Sequence, residues 1–113
     1  MPPPYQVRLT ARRGVPVVEL EGECDLAAAP EIKAAVRRAF AGGSSSLVFD
    51  LEAVTFIDSS ALSVFLGARR RAAEAGGSVT LLCSSPSLLR LLRLLELDKI
   101  LTFRTREEWE AAQ

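Results

Sequence analysis

Two glycine pairs, Gly42-Gly43 and Gly76-Gly77, divide the sequence at points where its hydrophobic periodicity changes. Each pair follows a segment whose apolar residues recur every three or four positions, which predicts an amphipathic helix that stops at glycine. Each pair also precedes a short, nearly continuous apolar run, which predicts a strand covered on both sides. Alternation of helices with buried strands builds largely parallel sheets, so the chain is constrained towards an α/β fold.

The N-terminal part of the chain adds a pair of strands. Apolar and polar residues alternate over 5–10, and a β-branched run covers 15–20 after a break at Arg13-Gly14, which predicts a hairpin. We expect Gly22 to end its second strand and Glu19 and Glu21 to face water. Helices are expected over the ranges 27–40, 59–75 and 87–95, and further strands over 47–51, 79–82 and 100–103.

A last helix is predicted by Thr105 and Glu108, which have the spacing of a capping box, and this helix carries Trp109. The predicted order is strand, strand, helix, strand, helix, strand, helix, strand, helix. The fold class is therefore α/β, with a mixed, mostly parallel β-sheet, an N-terminal antiparallel hairpin and about four packed helices.

Size and composition predict one domain over residues 1–113, because 49% of the residues are apolar, enough for one core. The Pro-rich residues 1–4 are expected to be disordered and resemble neither a signal peptide nor a membrane anchor. Fourteen basic residues balance fourteen acidic ones, which argues against direct nucleic-acid binding. Two cysteines, Cys24 and Cys83, are too few for a disulfide framework, so a cytoplasmic location is expected.

The residue types present argue against catalysis. The absence of histidine removes the commonest general base and most catalytic metal sites, so the chain is not expected to be an enzyme. Gly42-Gly43 leads into serines without the lysine of a nucleotide-binding loop, and no cofactor is expected. Asp50 and Asp98 lie near predicted strand ends, where capping or solvent exposure explains them. Asp25 and Asp58 remain as the carboxylates of interest.

The most informative segment is 54–62, in which a polar trio, Asp58-Ser59-Ser60, follows an apolar run and opens a helix. Asp58 suits the N-cap position, and Ser59 then occupies an exposed first helical position. A phosphoryl group on Ser59 would bring about −1.5 to −2 charges to the helix start, beside the Asp58 carboxylate. From the residues alone, plain helix capping is the better-supported explanation of the trio.

The segments 47–51 and 54–62 resemble the central signature of STAS domains, especially the bacterial anti-sigma factor antagonists. The segments 22–25, 76–79 and 94–103 are similar to other parts of that family, so the resemblance covers nearly the whole chain. It implies that Ser59 is phosphorylated by a partner that is both anti-sigma factor and serine kinase. The residues that would contact this partner are Glu23, Asp25, Asp58, Ser60, Ala61 and Leu62.

The same resemblance implies a partner switch. The unmodified protein would bind the anti-sigma factor and free a sigma factor, and the phosphorylated form would not bind until a phosphatase of the PP2C type restored it. ATP would be bound by the kinase, a GHKL-type ATPase, and the chain itself would be a monomer or weak dimer. Ala61 and Ser63 stand where many relatives have glycine, which adds side chains near the expected docking surface.

Two alternatives stay open at this point. Asp25 either orients the kinase or caps the first helix. The whole chain could instead be a STAS subunit that stabilises an ABC-type lipid transporter ATPase without phosphorylation, since its third helix is rich in leucine. We expect a core stripe of Leu88, Leu91, Leu92 and Leu95 in that helix, with Leu89 and Leu94 as exposed contacts.

Overall fold

A computed structural model describes residues 4–112, which form a five-stranded sheet with the strand order β1-β2-β3-β4-β5. Strand β1 is antiparallel to β2, and the other neighbours are parallel. The predicted fold class is therefore confirmed. The strands are β1 (Tyr5–Arg12), β2 (Val15–Cys24), β3 (Leu47–Ile57), β4 (Val79–Leu82) and β5 (Thr102–Arg104), and the helices are α1 (Ala29–Ala41), α2 (Ser59–Glu74), α3 (Pro86–Leu94) and α4 (Arg106–Ala111).

The main core lies between the sheet and helices α1, α2 and α3. The parallel strands β2 to β5 lie in the sheet in the same order as in the chain. Right-handed connections that all proceed in one direction along the sheet place their helices on the same face of it. Phe49 of β3 and Phe65 of α2 are fully buried there, with ring centroids 4.5 Å apart. Ile32 of α1 and Leu92 of α3 belong to the same buried cluster. The predicted helical stripes therefore face one continuous core.

The opposite face of the sheet carries a second, smaller core under α4. Trp109 packs there with Val17, Val48 and Leu82. The predicted capping box is present, because the Thr105 side chain accepts a hydrogen bond from the Glu108 amide and the Glu108 carboxylate accepts one from the Thr105 amide. The capping box thus fixes the start of α4, and Trp109 of this helix packs against the sheet.

Asp50 departs from the sequence-based expectation. It was expected to be a capping or solvent-exposed residue, but it lies within β3 and is only 5% exposed. Its carboxylate pairs with the Arg106 guanidinium of α4 and accepts a hydrogen bond from the Glu52 amide at 3.0 Å. A buried carboxylate needs such partners, and this one is supplied from 56 residues further along the chain.

Strand β2 continues past Gly22, where it was expected to end. Gly22 has a φ of +76°, and the pairing of β2 with β3 shifts register on both sides of it. The Pro4 carbonyl accepts a hydrogen bond from the Glu23 amide at 2.8 Å, so the chain passes very close to Gly22. Gly22 therefore allows β2 to continue through a left-handed residue instead of ending there, and each register shift places one extra residue on β3. The expectation of disorder over 1–4 falls mainly on residues 1–3, which lie outside the described residues.

Strand β3 also exceeds its expected length, since it runs to Ile57 and not to Leu51. Glu19 and Glu21 are half-buried and form ion pairs with Arg8 of β1, at 3.3 and 3.1 Å, so their expected exposure to water is only partial. The longer β2 and β3 end side by side, and this carries the residues that follow each strand to the same edge of the sheet.

The C-terminal segment needs two corrections. The last strand is Thr102–Arg104, and the expected strand residues Ile100 and Leu101 precede it after a 3-10 turn at Leu97–Lys99. In α3 the expected core stripe is only partly formed: Leu92 is buried and Leu88 half-buried. Leu94 is exposed as expected, and so are Leu91 and Leu95, which were expected in the core stripe. Leu89, expected as an exposed contact, is instead half-buried against the core.

Gly22 provides a test of this close approach between Pro4 and β2. A Cβ atom at this position would lie 2.2 Å from the Pro4 carbonyl oxygen, and the positive φ disfavours any side chain. We expect Gly22→Ala to lower the free energy of unfolding by about 1–3 kcal/mol, measured by urea denaturation. Gly67→Ala is the matched control, because a Cβ in this part of α2 meets no atom within 4 Å. It should raise stability by about 0.5–1 kcal/mol, and equal effects of the two variants would contradict this account.

Candidate functional site

The ends of β2 and β3 form the base of the site. Their last paired residues are Cys24 and Ile57, and the Asp58 amide donates a hydrogen bond to the Cys24 carbonyl at 3.3 Å. This bond joins the loop that begins at Asp25 to the start of α2. Because parallel strands end at the same edge of a sheet, two segments more than thirty residues apart in sequence come together there.

Asp58 is the N-cap of α2, as predicted. Its backbone is extended, and its Oδ1 accepts hydrogen bonds from the Ser60 amide at 2.9 Å and from the Ala61 amide at 3.4 Å. These are amides of the first helical turn, which have no partner within the helix. The carboxylate also lies at the positive end of the dipole of a 16-residue helix. The cap therefore fixes both where α2 begins and how the next residue is presented.

Ser59 is the first residue of α2 and is exposed. None of the hydrogen bonds within residues 4–112 uses its Oγ, while its carbonyl accepts one from the Ser63 hydroxyl at 2.9 Å. The hydroxyl is thus free to meet another molecule. Ser63 is exposed one turn further along and donates this hydrogen bond back to the Ser59 backbone.

Asp25 shapes the loop between β2 and α1 without capping the helix. Its Oδ1 accepts a hydrogen bond from the Ala27 amide at 3.0 Å, and its carbonyl accepts from the amides of Ala28 and Ala29. The N-cap of α1 is Ala28, which forms no side-chain cap. Asp25 therefore does not cap the first helix, so that alternative is wrong. Its side chain instead closes a turn just before the helix.

Tyr5 holds the same loop from the other side. Its hydroxyl donates to the Glu31 carboxylate at 2.7 Å and contacts the Ala27 carbonyl at 3.2 Å. The hydrogen bond to Glu31, with lesser contributions from desolvation and from the charges of Glu31 and Asp25, raises the pKa of the Tyr5 hydroxyl. Strand β1 is thereby tied to the turn that carries Asp25.

Cys24 lies beneath the two carboxylates. It is buried, and desolvation, followed by the negative charges of Asp25 and Asp58, raises the pKa of its thiol to about 11. A thiol with that pKa stays protonated at neutral pH and is a poor nucleophile. Asp25 follows Cys24 directly in the chain, and the Cys24 carbonyl accepts a hydrogen bond from the Asp58 amide, so both aspartates lie at the same edge of the sheet.

The remaining expected contact residues differ in exposure. Glu23 is exposed, whereas Ser60 and Leu62 are half-buried. Ala61 is fully buried in the core, so its side chain has no surface to offer, and its expected contact with a partner needs correction. The Ala61 methyl group therefore lies in the core and not on the expected docking surface.

Sequence reasoning missed two apolar side chains at this edge. Leu26, beside Asp25, is 72% exposed, and Phe56, close to Asp58 on β3, is 52% exposed. Phe56 lines a cavity of about 210 Å³ that also involves Leu88 and Leu91 of α3. In the sequence, Phe56 belongs to an apolar run, which predicts a buried side chain. Its outward direction depends on the length of β3 and on the register shifts between β2 and β3, which a local pattern does not show.

The comparisons with known proteins agree with this geometry. A family model described as the STAS domain matches residues 6–109. The chain therefore belongs to the STAS domain family. No helix of the described residues is long and apolar enough to cross a membrane, and those residues contain no group of three or more side chains suited to hold a metal ion.

Several relatives carry the name expected from the resemblance. The chain is 30% identical over 105 residues to the anti-sigma F factor antagonist of Lysinibacillus sphaericus, which covers 92% of this chain and 89% of that protein. The crystal structure of an anti-sigma factor antagonist from Mycobacterium paratuberculosis is similar with a TM-score of 0.83 at 27% identity, covering 96% of this chain and 92% of the other. The phosphorylated form of the Bacillus cell fate determinant SpoIIAA gives a TM-score of 0.72 at 28% identity, with coverages of 95% and 98%.

The cap can be tested by its contribution to stability. Asp58→Ala removes the acceptor of two first-turn amides, so we expect the free energy of unfolding to fall by about 1 kcal/mol in urea denaturation. Asp58→Asn is the control, because asparagine caps nearly as well, and it should stay within about 0.5 kcal/mol of the wild type. A loss in Asp58→Asn as large as that in Asp58→Ala would contradict the capping role.

Proposed function

We propose that this protein is an anti-sigma factor antagonist whose binding is switched by phosphorylation of Ser59. In the unmodified state it binds an anti-sigma factor that is also a serine kinase, and a sigma factor is released. Phosphate on Ser59 prevents this binding until a phosphatase removes it. The protein acts by binding and not by catalysis, and ATP belongs to the kinase.

One observation carries the proposal: the Ser59 hydroxyl is exposed at the start of a capped helix and forms no hydrogen bond within residues 4–112. A kinase must reach a hydroxyl from solvent and align it with a phosphoryl donor, and a serine held by an internal hydrogen bond would resist that alignment. The names of the relatives support the same function, and one of the similar structures is described as a phosphorylated form.

The electrostatics of the edge explain how phosphate would act. A phosphoserine brings about −1.5 to −2 charges, and a helix N-terminus accommodates an anion through its free amides. Here the Asp58 carboxylate already occupies two of these amides, and the Asp25 carboxylate is close by. Three negative groups at one surface would therefore repel a partner that tolerates two, without any refolding of the domain.

The proposed partners follow from this scheme. The anti-sigma factor is a GHKL-type ATPase that contacts the edge formed by Glu23, Asp25 and the start of α2, and the phosphatase is of the PP2C type. Leu26 and Phe56 supply exposed apolar surface beside the acidic groups, which suits a protein partner. A transporter subunit that is never phosphorylated would need no accessible hydroxyl at this position, so the antagonist is favoured.

Phosphate transfer gives the direct test. With the cognate kinase and ATP, we expect the wild type to incorporate one phosphate and Ser59→Ala to incorporate none. Ser59→Asp should weaken binding to the anti-sigma factor by at least roughly tenfold in calorimetry, because it adds negative charge beside Asp58. Ser59→Ala should still bind.

Ser63→Ala is the matched control, since this serine is also exposed on α2 and lies one turn away. It should be phosphorylated like the wild type. Phosphate incorporation that persists in Ser59→Ala and disappears in Ser63→Ala would move the switch to the other hydroxyl. Co-purification with an ABC-type ATPase, without any kinase, would favour the transporter subunit.

Asp25 has a separate test. Asp25→Asn keeps an oxygen that accepts the Ala27 amide, so the turn and the stability of the domain should not change. We expect phosphorylation to slow by roughly tenfold because the carboxylate orients the kinase. The phosphorylation rates of the two proteins are compared under single-turnover conditions. A rate equal to that of the wild type would show that Asp25 only closes the turn and does not orient the kinase.

A further inference from the structure

Helices α1 and α2 meet at a contact between Arg71 and Phe40. The Arg71 guanidinium lies over the Phe40 ring, with its carbon 4.8 Å from the ring centroid. Lys33 and Arg37 precede Phe40 by seven and three residues, and residues at these spacings share one side of a helix. Gly67 precedes Arg71 by four residues and shares its side of α2. These residues therefore lie along the line where the two helices face each other.

Four cations lie along this line and form what we call the basic surface. It consists of Lys33 and Arg37 on α1 together with Arg70 and Arg71 on α2. All four side chains are exposed, and none forms an ion pair or a hydrogen bond within residues 4–112. Arg71 has only its contact with the Phe40 ring. The basic surface therefore holds charged groups that the described part of the chain does not pair.

The other charges of these helices leave the basic surface positive. Arg38 and Arg69 lie on adjoining sides of α1 and α2 and add positive charge. Glu31, the acidic residue of α1, is turned towards β1, where its carboxylate accepts a hydrogen bond at 2.7 Å. Glu74, the acidic residue of α2, is the last residue of that helix. Although the chain has fourteen charges of each sign, they are unevenly distributed over the fold.

Folding does not account for this grouping of cations. Like charges four residues apart destabilise a helix, and Lys33 and Arg37 have this spacing. A cation in the last turn complements the helix dipole, which explains Arg71, but Lys33 lies in the first half of α1. The basic surface therefore reduces the stability of the helices that carry it, which is typical of residues retained for binding.

Gly67 leaves open space within the basic surface. A Cβ atom at this position would meet no other atom within 4 Å, so another molecule can approach α2 there. Beside this space, the Phe40 ring supports the plane of the Arg71 guanidinium, whose N–H groups have no partner within residues 4–112. A planar guanidinium offers two parallel donors, which match the two oxygens of a carboxylate.

We propose that the basic surface binds an acidic segment of a partner protein, whose aspartate or glutamate side chains pair with its four cations. Charge complementarity selects this partner, and the space at Gly67 admits one of its side chains. The basic surface lies further along α1 and α2 than the edge with Asp25 and Asp58, which has the opposite charge. The proposal does not rest on phosphorylation of Ser59 and can be tested without a kinase.

Nucleic acids and lipids fit the basic surface less well. Proteins that bind duplex DNA commonly neutralise about six to ten phosphates, whereas this surface offers four cations. Single strands stack on exposed aromatic rings, but Phe40 is 8% exposed and lies under Arg71. None of the large apolar side chains exposed among the described residues lies on α1 or α2, so these helices offer none for insertion into a membrane.

Titration of a fluorescein-labelled oligoglutamate peptide with the purified protein tests the proposal by fluorescence anisotropy. At about 150 mM salt we expect saturable binding with a dissociation constant below about 100 µM. Arg37→Glu/Arg70→Glu should weaken binding at least roughly tenfold, because it reverses two of the four charges. Arg90→Glu/Arg93→Glu is the matched control, since it changes the net charge equally at two exposed, unpartnered arginines of α3, and it should bind like the wild type.

Gly67→Gln separates the shape of the basic surface from its charge. The substitution removes no cation but fills the open space on α2, so we expect peptide binding to weaken at least roughly fivefold. Glutamine is a good helix former, so this variant should fold like the wild type. Far-UV circular dichroism checks that all the variants are folded.

Several results would overturn the proposal. They include a wild type that does not bind the peptide saturably, an equal loss of binding in the two double variants, and peptide binding that Gly67→Gln leaves unchanged. Tighter binding of a short DNA duplex than of the peptide, lost in Arg37→Glu/Arg70→Glu, would assign the basic surface to a nucleic acid instead. The same result with vesicles of phosphatidylserine and phosphatidylcholine would assign it to a membrane.

Discussion

The hydrogen bond from the Asp58 amide to the Cys24 carbonyl is the contact on which the arrangement of the site depends. It forms because β2 and β3 run parallel and their last paired residues, Cys24 and Ile57, lie side by side. The turn at Asp25 and the cap at Asp58 are then fixed with respect to each other by backbone atoms, which do not rotate as side chains do. Under the proposed switch, phosphate on Ser59 would therefore change the charge of an edge whose backbone is already held in place.

Much of this architecture follows from local sequence patterns. The order of strands and helices, the cap at Asp58 and the capping box of α4 all rest on residues within a few positions of each other, and each is confirmed. The errors concern features that depend on distant residues. Gly22 lies within β2, where Pro4 passes too close for a side chain, and the buried Asp50 carboxylate is paired by Arg106 of α4. Periodicity carries no information on such partners.

The candidate site shows the same division. The helix start at Asp58 and the exposure of Ser59 could be predicted, since a cap determines the position of the residue that follows it. The burial of Ala61 and the outward direction of Phe56 could not, because they depend on the exact orientation of α2 against the sheet and on the register shifts of β2. The leucines of α3 illustrate a related limit. An amphipathic pattern indicates which residues of a helix are apolar, but it does not show how many of them the rest of the protein covers.

Trp109 has a practical consequence. It is the chain's single tryptophan, and it is buried against Val48 near the beginning of β3, on the face of the sheet under α4. The far end of that strand, Ile57, lies roughly 30 Å from Val48 at about 3.3 Å per residue, and Ser59 follows it. Intrinsic tryptophan fluorescence therefore reports on the packing of α4 against the sheet. Because Trp109 lies far from Ser59, binding or phosphorylation at the start of α2 should not change this fluorescence directly.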